Sequence, residues 1–168
     1  MKLIITVISL ISLLTISCKA QINTTKSEKF DLELFNNNKT KSNEYRYTEK
    51  GTEILLSETQ DNYLKITSKI DENFTNHYLF DKKELSLSAE QQFFLNIPVG
   101  HYITYNDKGE VLQKQEPKNL YPFTIYQLID KMKNDFNLDI NKKKCISAIT
   151  HNSFILFILV QKYRYESI

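Results

Sequence analysis

The sequence predicts an α+β fold: an antiparallel β-meander, one amphipathic helix packed on the sheet, and a C-terminal β-hairpin. Three observations carry this expectation. Short alternating apolar runs recur between Glu44 and Gln115, separated by polar turn sequences. One stretch, Ile125 to Phe136, has helical rather than alternating periodicity. Two further apolar runs, beginning at Cys145 and Phe154, are joined by the short polar link His151-Asn152-Ser153.

At the start of the chain, Lys2 precedes an apolar run from Leu3 to Ile16, followed by Ser17 and Cys18. A basic residue, an apolar core of roughly 7–15 residues and a small residue at the cut are the parts of an export signal. The run is shorter than the about 20 apolar residues that cross a bilayer, and polar sequence follows at once. Residues 1–17 are therefore read as a signal peptide, 18–29 as a flexible polar tether and 30–168 as a single α+β domain.

The segment Thr15-Ile16-Ser17-Cys18 resembles the lipobox of bacterial lipoproteins, an aliphatic residue, a small or aliphatic one, Gly, Ala or Ser, then Cys. Thr15 stands where that pattern prefers Leu. The run Ser17-Cys18-Lys19-Ala20-Gln21 is similar to the starts of small lipoproteins of the Bacteroidetes type. The resemblance implies cleavage before Cys18, lipidation of Cys18, and a mature chain held at the cell envelope, on the outer membrane and facing the periplasm or the surface. Several acyl chains anchor durably, because each buried CH₂ contributes about 0.8 kcal/mol. Cleavage after Ala20 would instead discard Cys18 and give a secreted chain.

Phe30, Leu32 and Leu34 alternate with polar residues, which predicts a first short strand over Phe30–Phe35. The wholly polar run Asn36 to Asn43 then reads as a loop. Beyond it, Tyr47-Thr48-Glu49-Lys50-Gly51 resembles Tyr105-Asn106-Asp107-Lys108-Gly109, and each is followed by an acid and aliphatic residues. A weaker third copy, Tyr78 to Leu85, has Lys83 in place of Gly. Polar residues plus Gly supply hairpin turns, because Gly accepts positive φ. Aromatic and β-branched neighbours suit half-buried strands. Tyr63–Thr67 and Leu85–Ala89 also alternate, while Gln92–Ile97 is denser and is expected to end at Pro98. The unit Gly100 to Leu112 resembles MORN-like repeats, with their spaced Gly and aromatic residues, which implies twisted β-hairpins.

The helix is marked at both ends. Thr124 with Gln127 three residues on forms a capping box, and Phe123 is placed to staple onto Leu128. Ile125, Leu128, Ile129, Met132 and Phe136 form one stripe, with Asn137 as the stop. After Lys142-Lys143-Lys144, read as a solvated loop, Cys145–Thr150 and Phe154–Tyr165 are expected to pair as the terminal hairpin. The order helix, strand, strand resembles PepSY-type envelope modules.

Composition narrows the function. With 22 basic and 20 acidic residues the net charge is +2, too balanced for a nucleic-acid footprint. Only two cysteines occur; with Cys18 lipidated, Cys145 has no disulfide partner and is expected in the core. The three histidines, His77, His101 and His151, show no metal-ligand spacing, so neither metal nor cofactor is expected. No Gly-rich phosphate loop or nucleophile elbow is present, so no catalytic residue is assigned. The richer feature is aromatic: ten Tyr and ten Phe. Cross-strand packing is the first reading of the hairpin tyrosines, and Tyr45, Tyr47, Tyr102 and Tyr105 are the candidate partner-binding residues if they are displayed. The expectation is a lipid-anchored envelope protein, a non-catalytic binding or structural module, with the membrane, an envelope protein or a glycan as partner. An immunity or inhibitor protein neutralising a toxin or protease is the alternative, by resemblance to MORN-like antitoxin modules. An envelope hydrolase is the third.

Overall fold

The computed structural model describes residues 27–117 and 124–145. The signal and Cys18, most of the tether, Phe123 and the expected terminal hairpin beyond Cys145 lie outside the described residues. The elements are helix α1 (Leu32–Asn38), strands β1 (Glu44–Glu49), β2 (Thr52–Glu58), β3 (Asn62–Lys69), β4 (Phe74–Asp81), β5 (Leu87–Phe94), β6 (Ile97–Pro98), β7 (Tyr102–Tyr105) and β8 (Val111–Gln115), and helix α2 (Ile125–Phe136).

The strands form one antiparallel meander in the order β1-β2-β3-β4-β5-β7-β8, with β6 as a short extra pairing on β5. Turn chemistry explains the order. Lys50 and Gly51 both take positive φ, 47° and 76°, between the paired residues Glu49 and Thr52, the geometry of a two-residue hairpin. At the β7–β8 turn Gly109 has φ 76°, and the Asn106 carboxamide accepts from the Lys108 and Glu110 amides. The weaker copy lacks Gly, and two substitutes do its work. The Asp81 carboxylate accepts from the Lys83 and Glu84 amides, and Leu85 itself adopts positive φ. Those two amides hold the Asp81 carboxyl below its ordinary pKa.

Two expectations about strands change. The region read as separate strands Leu85–Ala89 and Gln92–Ile97 is one strand, β5, followed by a tight turn in which Leu95 and Asn96 take positive φ. Pro98 does not end a strand there; it sits in β6, opposite Phe93. The expected first strand over Phe30–Phe35 is instead the end of a bridge followed by α1. Asp31 caps that helix, its carboxylate accepting from the Leu34 amide at 2.8 Å. Capping, a local device, outweighed three residues of alternation.

Period-two alternation divides the sheet into two faces. On the first face lie Tyr45, Tyr47, Ile54, Leu56, Tyr63, Tyr78, Phe80 and Phe94, by register. One end of this face carries a core of Phe30, Phe35, Ile54, Leu56, Phe80, Leu87 and Tyr105. Its rings interlock: Phe30 stacks on Tyr63 at 4.5 Å and meets Phe35 and Phe80 at 5.5 Å each. Complete burial of Phe35 and Phe80 contributes about 1.5–3 kcal/mol apiece. The other end carries Phe94, Leu128, Met132 and Ile140, with Ile125 and Ile129 packed against them, so α2 covers the sheet with four residues of its stripe; Phe136, expected as the fifth, is 45% exposed. Thr124 and Gln127 make the full capping box, and Asn137 ends the helix at φ 54°.

The chain joins this body earlier than residue 30. Lys29 bridges Ser86, the Glu28 carbonyl accepts from the Leu87 amide, and the Glu28 carboxylate pairs with Lys65 at 2.6 Å. The last two residues assigned to the tether are thus bonded to the sheet. At the other end, Cys145 does not begin a strand. Residues 143–145 form a helical turn, with the Cys145 amide donating to the Lys142 carbonyl. Its side chain packs against the α2 core.

Candidate functional site

The second face of the sheet has no described helix over it. Arg46, Leu55, Ile66, His77 and Gln91 lie opposite one another across five strands, with Leu64, Leu79, Ala89 and Thr104 in the neighbouring row. Helices α1 and α2 both pack on the first face. The result is a half-buried aliphatic surface, with Leu55, Leu64, Ile66 and Leu79 all in the intermediate class of exposure.

A cleft of about 390 Å³ opens at one end of this face, within the size range of ligand pockets. Leu55 and Ile66 form its floor. Its wall is raised by the β3–β4 and β5–β6 turns, through Glu72, Asn73, Leu95 and Asn96, and by Lys143. The wall is tied in place by backbone. The Asn73 amide donates to the Asn141 carbonyl, the Lys143 amide to the Asp71 carbonyl, and the Asn73 carboxamide to the Ile140 carbonyl.

The rim is charged, and its charges are paired. Lys143 binds Glu53, Lys69 binds Glu72 at 3.2 Å, and Arg46 reaches Glu44 at 3.3 Å. Burial pushes the His77 imidazole below its ordinary pKa. Its Nε2 lies 3.1 Å from the Thr75 hydroxyl, and its ring packs on Phe93 at 4.3 Å. The inner end of the cleft is therefore neutral and polar, while the outer end carries charges of both signs.

The candidate tyrosines do not share one surface. Tyr45 and Tyr47 stack at 5.0 Å and pack against the α1 core. Burial raises the Tyr47 phenol above its ordinary pKa. Tyr105 is in that core, 8% exposed, its hydroxyl bonded to Glu90. Tyr102 neighbours Ile103 in β7, and alternation puts it on the opposite face from Tyr105. Cys18 and His151 lie outside the described residues. Among the described residues, no three His, Cys, Asp or Glu side chains converge as a metal site would require.

Sequence reading gave no site role to Arg46, Glu53 or Ile66, weighed His77 only as a metal ligand, and took Lys143 for a solvated loop residue. The pointer was present in the same strands: Arg46 stands between Tyr45 and Tyr47, and alternation sends it to the other face. Only the register shows that Leu55, Ile66 and His77 join it in one row. No family model, no curated protein and no solved structure matches this chain.

Proposed function

We propose that the protein is a lipid-anchored module of the cell envelope that binds a partner through the open face of its sheet, without catalysis. The observation that carries the binding role is the cleft on that face, with Leu55 and Ile66 as floor. Among the described residues both helices lie on the first face, and the half-buried aliphatic side chains of the second offer a surface for contact. The anchor rests on the order Lys2, apolar run, Ser17, Cys18 in the sequence. Glu28 and Lys29, which are bonded to the sheet, stand ten and eleven residues beyond Cys18, so the domain sits close to its point of attachment.

Metabolic labelling with an alkyne fatty acid tests the anchor. Wild-type protein incorporates the label and Cys18→Ser does not. Absence of label on the wild type, or its retention in Cys18→Ser, contradicts the reading.

A further inference from the structure

We propose that His77 is a proton-operated latch on the cleft: as a neutral imidazole it lies back on the sheet and leaves the Leu55 and Ile66 floor open, and as a cation it turns out over that floor. The inference names a regulation of the same site and rests on the binding-module reading for its meaning. Its basis is where the ring is held. His77 is half-buried in β4, between Ile66 of β3 and Gln91 of β5 in the register. Its ring lies 4.3 Å from that of Phe93, and its Nε2 lies 3.1 Å from the Thr75 hydroxyl. It also lines the cleft, together with Ile66. One side of the imidazole thus rests on protein, and another meets open volume.

Protonation acts differently on those two sides. The neutral ring suits its aromatic contact, and one hydroxyl satisfies one nitrogen. The imidazolium has two donors and a charge, and a half-buried charge without a counter-ion is costly. On this face β3 brings Ile66 and Ser68 beside the ring, β5 brings Gln91 and Phe93, and its own strand brings Thr75 and Leu79, none of them charged. Burial is accordingly what holds the imidazole below its ordinary pKa. The charged groups stand across the cleft: Arg46 on β1, Glu53 on β2, Glu72 in the β3–β4 turn, and Lys143. Two acids and two bases balance, so no net charge opposes the approach of a cation. A step from one staggered χ1 well to another carries the imidazolium off Phe93 into the cleft, toward solvent and the Glu53 and Glu72 carboxylates. The ring then occupies space above Leu55 and Ile66. The cleft is open at neutral pH and closed in acid, a range that histidine is suited to sense.

A pH titration by NMR of the full chain in nanodiscs tests this, read at the His77 imidazole, the Ile66 methyls and the contact between the His77 and Phe93 rings. The titration needs no ligand, so a failed latch leaves the binding-module reading standing. The expected result is one transition, with its midpoint below the ordinary histidine value of 6.5. In it the imidazole protonates, the contact with Phe93 is lost and the Ile66 methyl resonances shift together. The Leu128 methyls beneath α2 stay in place and report an intact fold. His77→Gln, which keeps a polar side chain without a titrating group, abolishes the Ile66 shift. Glu53 and Glu72 remain in that variant, so an Ile66 shift that persists there belongs to their carboxyls and overturns the proposal. Protonation with the Phe93 contact kept overturns it too, as does loss of the Leu128 signals before the imidazole titrates.

Discussion

The Tyr105 hydroxyl donates a 2.6 Å hydrogen bond to Glu90 Oε1, joining β7 to β5 on the helix-covered face. The phenol is set at the edge of the aromatic core, 8% exposed. Burial, and after it the bond to Glu90, pushes its pKa well above the ordinary tyrosine value of 10.0. Hydrogen bonds to charged acceptors are the stronger class in proteins. Tyr105→Phe keeps the ring and removes the bond, so it should cost about 1–2 kcal/mol in urea unfolding. The alkaline limb gives a second signature. A phenol whose folded pKa exceeds its unfolded value contributes stability below the unfolded pKa and loses it as pH rises past that value. Wild-type stability should fall above the phenol's ordinary value, and Tyr105→Phe should lack that share of the fall.

His77 sets the opposite dependence. Burial lowers its pKa below the ordinary value of 6.5. Above that value both folded and unfolded chains hold a neutral imidazole, and the group has no effect. Below it the unfolded chain takes up a proton that the folded chain resists, so stability falls as the pH drops through 6.5. His77→Gln should flatten this part of a stability–pH curve measured by chemical denaturation. An unchanged slope would mean that His77 is as free to protonate in the fold as in the unfolded chain.

Core and cap substitutions separate large from small contributions. Phe35 is fully buried, with the rings of Phe30 and Tyr63 at 5.5 and 5.9 Å. Phe35→Ala should cost about 3–5 kcal/mol. Thr124→Ala removes the side-chain acceptor for the Gln127 amide and should cost about 1 kcal/mol. Phe35 belongs to one core cluster and Thr124 caps the helix that packs into the other, so the double variant should equal the sum within about 0.5 kcal/mol.

Much of the scaffold was legible because local chemistry wrote it. Lys50-Gly51 and Asp107-Lys108-Gly109 specify turns, and Thr124, Gln127 and Asn137 specify both ends of α2. Phe30–Phe35 misled because three alternating residues are a weak signal. Asp31, a cap three residues before the Leu34 amide it holds, was the stronger one. Tyr105 was open to both readings, cross-strand packing and display, because sequence marks an aromatic residue on a strand without saying which face is covered; the structure gives packing. The cleft was invisible for a related reason. Arg46, Leu55, Ile66 and His77 are spread over thirty-two positions of chain and meet only through the pairing register of four strands. Lys143 reaches the rim from still farther, 90 positions beyond its partner Glu53.

The most direct test of the open face as the binding surface is site-specific photo-crosslinking in living cells. A benzophenone amino acid at position 46 sits on the rim of the cleft, and one at position 112 sits on β8, where Leu112 is 67% exposed. The account predicts a discrete polypeptide adduct from position 46, recovered with the membrane fraction, and none from position 112. Equal adducts from both positions, or an adduct from position 112 alone, would contradict it.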